Sequence, residues 1–123
     1  MTPSKTGTSK PIERYLPLHP LEFRILLVLL DGPSHGYRIV KAIEERVGDQ
    51  RRIYPANLYR RIRDLLERGL IEETVAPAGE ESEGRRTYVA VSRLGRQVAR
   101  AEAERLESLV ADARQRRLLG RAR

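Results

Sequence analysis

After Gly69 the spacing of apolar residues changes from about four to two, and from Ser92 it changes back. This ordered switch from helical to strand periodicity and back leaves few architectures open. Before it, three helices are predicted. Leu21, Phe23, Ile25, Leu26, Leu27, Val28, Leu29 and Leu30 follow Pro20, a residue suited to a first helical turn. So dense an apolar run predicts a helix buried on most sides, stopped at Asp31-Gly32-Pro33. Ser34 is placed to cap a second helix, with His35 as part of the cap, and Tyr37, Val40, Ile43 and Val47 recur along it until Gly48. A polar link, residues 49–52, leads to Tyr54-Pro55 and a third amphipathic helix marked by Leu58, Ile62, Leu65 and Leu66.

Leu70–Val75 and Thr87–Val91 then read as two strands of a hairpin, joined by a turn region holding Pro77, Gly79, Ser82 and Gly84. From Ser92 onward the chain is rich in strong helix formers. Ala99, Ala103, Leu106, Val110 and Ala113 form a seam along that helix suited to a second helix, and are the expected dimer interface. A seam folded back on the first helix is the alternative. Helix, helix, helix, hairpin, helix is the element order of a winged helix-turn-helix domain with an added helix. The expected fold is mainly α with a small β-hairpin. Its organisation is a flexible basic arm over 1–17, a winged helix-turn-helix domain over 18–91, a long C-terminal dimerisation helix over 92–119 and a basic tail over 120–123.

Charge is unevenly spread over the 123 residues, whose formal total is +7. Residues 49–69 hold six Arg against three acidic residues, residues 70–91 hold five acidic residues against two Arg, and the last ten residues carry five Arg. Concentrated guanidinium groups suit a polyanion, because they pair with phosphate oxygens and release condensed counterions. With no Cys, disulfide frameworks, thiolate metal sites and a cysteine nucleophile are excluded, and a reducing, cytoplasmic location is expected. Only His19 and His35 could supply imidazole, so neither a metal nor any other cofactor is expected. No Ser-His-Asp order or phosphate-cradling glycine loop points to an enzyme. No apolar run reaches the roughly 18 residues of a membrane span, and the polar start of the chain is unlike a secretory signal.

In a winged helix the third helix enters a major groove while the hairpin reaches along the backbone. At about 100° per residue, Leu65, Leu58, Ile62 and Leu66 occupy one arc of that helix, and Arg63, Glu67, Arg60, Asp64, Asn57 and Arg61 the opposite one. Arg pairs with guanine edges and Asn with adenine, so Asn57, Arg60 and Arg63 are candidate base readers, with Arg61 on the bases or along the backbone. Tyr37 and Tyr59 are candidate phosphate donors, against the alternative that their rings pack in the core. Arg85 and Arg86 precede the second wing strand and are candidates to grip a minor groove or its phosphates, while Arg51 and Arg52, just before the third helix, are candidate backbone clamps. Glu80, Glu81 and Glu83 at the wing tip read as a solvated charge run that opposes deep insertion.

Together these residues resemble a known family. Leu21–Leu30, His35-Gly36-Tyr37, Asn57-Leu58-Tyr59, Leu65-Leu66-Glu67-Arg68-Gly69-Leu70-Ile71 and Gly84-Arg85-Arg86-Thr87-Tyr88, followed by Ser92 and Gly95, are similar to the PadR family of transcriptional regulators across about residues 18 to 110. The resemblance implies a homodimer that binds double-stranded operator DNA near a promoter, represses, and is released by a small-molecule effector or signal. Ala56-Asn57 stands where the family commonly has Gly then Thr or Ser, and Arg60 where Pro commonly follows the Tyr, which implies a different operator. Some members sandwich flat aromatic effectors with Trp, and this chain has none. The alternative function is a protein-interaction module that docks a partner through its long C-terminal helix.

Overall fold

The computed structural model describes residues 11–48, 55–80 and 86–120. The main elements are α1 (Pro20–Leu29), β1 (Ser34–His35), α2 (Gly36–Val47), α3 (Pro55–Glu67), β2 (Ile71–Thr74), β3 (Tyr88–Val91) and α4 (Arg93–Gln115). Ile25, Leu26 and Leu29 of α1 meet Ile39, Val40 and Ile43 of α2 and Leu58, Ile62 and Leu65 of α3 in one buried cluster. Leu70, Ile71, Val89 and Val91 close it from the sheet, and Val98 and Ala99 from α4. This is a winged helix-turn-helix arrangement carrying a long C-terminal helix.

The expected hairpin is present, but as part of a three-stranded antiparallel sheet in the order β1-β3-β2. Ile71 pairs with Val91 and Thr74 with Tyr88 on one side of β3; Ser34 pairs with Val89 and His35 with Tyr88 on the other. Two residues are too few to show a period of two, which is why β1 leaves no pattern in the sequence. It also shifts the cap of α2. His35, not Ser34, is the N-cap: its Nδ1 accepts from the Arg38 N–H at 3.3 Å. Ser34 is buried in the strand, its Oγ without a hydrogen-bond partner among the described residues.

One further expectation needs correction. Residues 12–17 are not a loose arm: Ile12–Tyr15 form a 3-10 turn, and Ile12, Tyr15 and Leu16 pack against the core. Buried Glu102 of α4 holds the end of this segment, pairing with Arg105 at 2.8 Å and accepting the Leu18 N–H. The Arg105 hydrogen bond is the largest influence on its carboxyl and keeps it below the usual carboxylate range despite burial. The α1 helix is buried or half-buried on most sides, as expected, and open along one. Leu27 and Leu30 are 45% and 38% exposed, and with half-buried Phe23 they line an open groove against Arg96, Arg100 and Ala103 of α4.

Gly95 sets the departure of α4. A Cβ there would collide with the Leu70 carbonyl oxygen, which already accepts the Ser92 N–H at 3.1 Å. Ser92 caps the helix by accepting from the Gly95 N–H and donates its own hydroxyl hydrogen to the Gly69 carbonyl at 2.6 Å. Val98, Ala99 and Glu102 are buried in the domain, whereas residues 107–112 are exposed. With 23 residues at 1.5 Å each, α4 is about 34 Å long, so its second half stands clear of the core.

Candidate nucleic-acid interface

The apolar arc of α3 fixes which side it turns outward. Leu58, Ile62 and Leu65 are buried, while Asn57, Tyr59, Arg60, Arg63 and Glu67 are exposed. Arg60 and Arg63 have no ion-pair partner among the described residues. They therefore present solvated guanidinium groups beside the Asn57 amide, the donor and acceptor set that base edges accept.

Arg61 departs from the expected groove-facing set. Its Nη1 donates to Glu22 Oε2 at 3.2 Å, and Arg68 Nη2 donates to the same oxygen at 2.6 Å. Glu22 sits in the first turn of α1 and is only 4% exposed; its other oxygen accepts the His19 N–H at 3.3 Å, while His19 Nδ1 accepts from Leu21. Burial pushes the Glu22 carboxyl upward, but the Arg68 bond and charge, joined by Arg61 and the His19 amide, outweigh it and hold the carboxyl below its usual range. One buried carboxylate thus ties the start of α1 to two turns of α3.

Both candidate tyrosines are outward, at 52% exposure for Tyr37 and 46% for Tyr59, so neither ring fills the core. Gly36 leaves room for the Tyr59 ring: a Cβ there would collide with the ring in its present position, so a larger residue would require the Tyr59 side chain to move. The next residue, Tyr37, lies between two cations, with Lys41 Nζ 5.5 Å and the Arg86 guanidinium 5.2 Å from the ring centroid. Both lie within the cation–π range of about 6 Å. The outer side of α3 is thereby continuous with α2 and the wing through Tyr59, Gly36, Tyr37 and Arg86. Arg51, Arg52 and Arg85 lie outside the described residues.

Lys41 was absent from the expected set, although its i, i+4 spacing from Tyr37 is the signal for such a pair. Glu80 is likewise more than a solvated wing charge. It pairs with Arg38 at 2.9 Å and accepts from the Tyr88 hydroxyl at 3.0 Å, bracing the wing against α2. His35 packs edge-on to Tyr88 at 5.1 Å beneath this contact. Of the expected dimer seam, Ala99 belongs to the domain core, Leu106 and Ala113 are half-buried, and Ala103 and Val110 are exposed. No described helix is long and apolar enough to cross a membrane, and no cluster of metal-ligating side chains occurs among the described residues.

Residues 25–101, more than half of the chain, match the Transcriptional regulator PadR-like family. The chain belongs to that family. None of the curated proteins compared with it matches in sequence. Among solved structures it is similar to a transcriptional regulator from Clostridium thermocellum, at 25% identity and TM-score 0.66 over 85% of this chain and 91% of that one. A PadR family transcription regulator from Clostridium difficile is 18% identical, with TM-score 0.68 over 79% of this chain and 97% of the other. Bacillus subtilis PadR, solved in complex with operator DNA, is 20% identical with TM-score 0.56, over 68% of this chain and 46% of its own. The last two share the fold of this PadR-like chain.

Proposed function

We propose that this PadR-like regulator binds double-stranded DNA as a homodimer, laying α3 in the major groove of each half of a two-fold symmetric operator, and represses by occupying a promoter. The observation that carries this function is the outer side of α3, where Asn57, Arg60 and Arg63 are exposed together while the opposite arc is buried. Arg60, Arg63 and Asn57 address base edges. Tyr59, Tyr37, Lys41 and Arg86 grip phosphates alongside, with Arg51, Arg52 and Arg85 extending the grip along the backbone. Arg61 is left out of the contact set because Glu22 already holds it.

The apolar groove formed by Phe23, Leu27 and Leu30 beside α4 supports dimerisation, since a second copy's helix would cover side chains that one chain leaves wet. Ala103, Leu106, Val110 and Ala113 on the projecting half of α4 would complete that contact, with Ala99 behind them. A dimer sets the two α3 helices on half-sites one helical turn, about 10 to 10.5 base pairs, or a multiple apart. A small-molecule effector bound where the copies meet would change that spacing and release the operator.

Recovery of bound duplexes from a random pool tests this directly: a two-fold symmetric sequence should be enriched, and affinity should fall with salt at a slope of about −0.9 per phosphate neutralised. An unenriched pool, or binding that ignores salt, would overturn it in favour of a module that docks proteins through α4. Sedimentation checks the stoichiometry. A particle of 14.1 kDa at micromolar concentration would rule out the symmetric operator.

A further inference from the structure

Arg61 lies within α3 and Arg68 just past its last residue, seven positions on, so their attachment points are about 10 Å apart along the helix axis. Both nevertheless reach one oxygen of Glu22, on a different helix. Resting on the DNA-binding function above, we propose that Glu22 is a positioning residue for sequence reading: it sets the roll of α3 on the domain and withholds Arg61 from the phosphate backbone.

The apolar arc alone sets that roll loosely. Burial of Leu58, Ile62 and Leu65 is a non-directional restraint, whereas a roll of only about 20° moves a side-chain tip by about 2 Å at the radius of a dressed helix. Bidentate pairing with a base edge tolerates only about 0.5 Å and 10–20°. Two guanidinium groups converging on one buried carboxylate from points two turns apart restrain both roll and tilt. Arg68 is itself held by its Nε, which donates to the Asp64 carbonyl at 3.4 Å. The same contact governs charge. With Arg61 paired to Glu22, the outward guanidinium groups of α3 are those of Arg60 and Arg63; released, Arg61 would supply a further cation that binds any sequence equally.

The test compares one duplex recovered from the random pool with a scrambled duplex of the same composition, by fluorescence anisotropy over a potassium chloride series. Glu22→Gln keeps the side-chain volume and removes the charge. Its ratio of selected to scrambled affinity should fall about tenfold, the worth of one mismatched base pair, while its slope on the scrambled duplex steepens by about 0.9 as Arg61 is freed. If both affinities fall by the same factor, in step with the folded fraction, Glu22 is structural only and the proposal is overturned. Arg68→Gln removes the shorter bond at a partly exposed site and keeps the test decisive should Glu22→Gln not fold: its ratio should fall in the same direction by a smaller factor, and an unchanged ratio overturns the proposal. If the wild-type protein enriches no sequence, the DNA-binding function itself has failed, an outcome distinct from an unchanged ratio.

Discussion

Arg60 and Arg61 are adjacent in sequence and identical in chemistry, yet one faces solvent and the other is folded against α1. The same division separates Arg63 from Arg68. Helical geometry puts each pair on different sides of α3, and the buried carboxylate of Glu22 stands on one side only. A cluster of arginines on a recognition helix is therefore two populations: outward residues available to a polyanion, and inward-leaning residues that hold the helix to its domain. Composition and net charge count them alike.

The largest expected effect comes from removing the outward population. Arg60→Ala with Arg63→Ala should cost roughly 2–6 kcal/mol of discrimination for the selected duplex, at about 1–3 kcal/mol per bidentate contact. The thermal midpoint should stay close to wild type, because both side chains are exposed. Undiminished binding in anisotropy titrations would mean that the division had been drawn the wrong way round. Leu65→Ala acts on what both populations share, the buried arc of the helix. It should cost about 2–5 kcal/mol in urea unfolding and, at protein levels corrected for the folded fraction, leave the ratio of selected to scrambled binding nearly unchanged. Arg61→Ala should reverse the pattern of the first variant. A loss of about 1 kcal/mol in stability is expected, because Glu22 keeps Arg68 as a partner. Direct contact energy with DNA should not be lost, and a binding loss as large as that of Arg60→Ala would erase the contrast between neighbours.

Much of this was legible beforehand, and what escaped has a common physical cause. The three helices, the change of period at Gly69 and the buried arc of α3 follow from local spacing and appear where expected. Glu22 stood inside a run dominated by leucine, and its partners lie 39 and 46 residues away, a separation no periodicity reports. The helical wheel held half of the clue. Measured from Asn57, Arg61 lies at about 40° and Arg68 at about 20°, next to the apolar arc that begins with Leu65 near 80°, whereas Arg60 and Arg63 lie at about 300° and 240°. Arginines at the border of an apolar arc are placed to turn inward if a buried acid awaits them. The strand Ser34–His35 escaped because it is short, whereas Tyr37, expected either on phosphates or in the core, turns outward because Ile39, Val40 and Ile43 already fill the inner side of α2.

The smallest expected effect separates the two populations by pH. The carboxyl of Glu22 ionises more readily in the folded chain than in the unfolded one, where the value is about 4.3. Its contribution is therefore complete above that pH and is lost as pH falls through the lower, folded value. Glu22→Gln has no such group, so the stability gap between wild type and variant in urea melts should be constant from neutral pH to about pH 5 and narrow below about 4.3. Glu102, also held below its usual range, titrates in both proteins and cancels from the difference. Arg60→Ala in the same series should leave the gap to wild type flat with pH, because Arg60 has no carboxylate partner among the described residues. A gap that widened toward acid pH would mean that the inner arginines do not hold the charged form of Glu22, and the distinction between inner and outer guanidinium groups would lose its electrostatic basis.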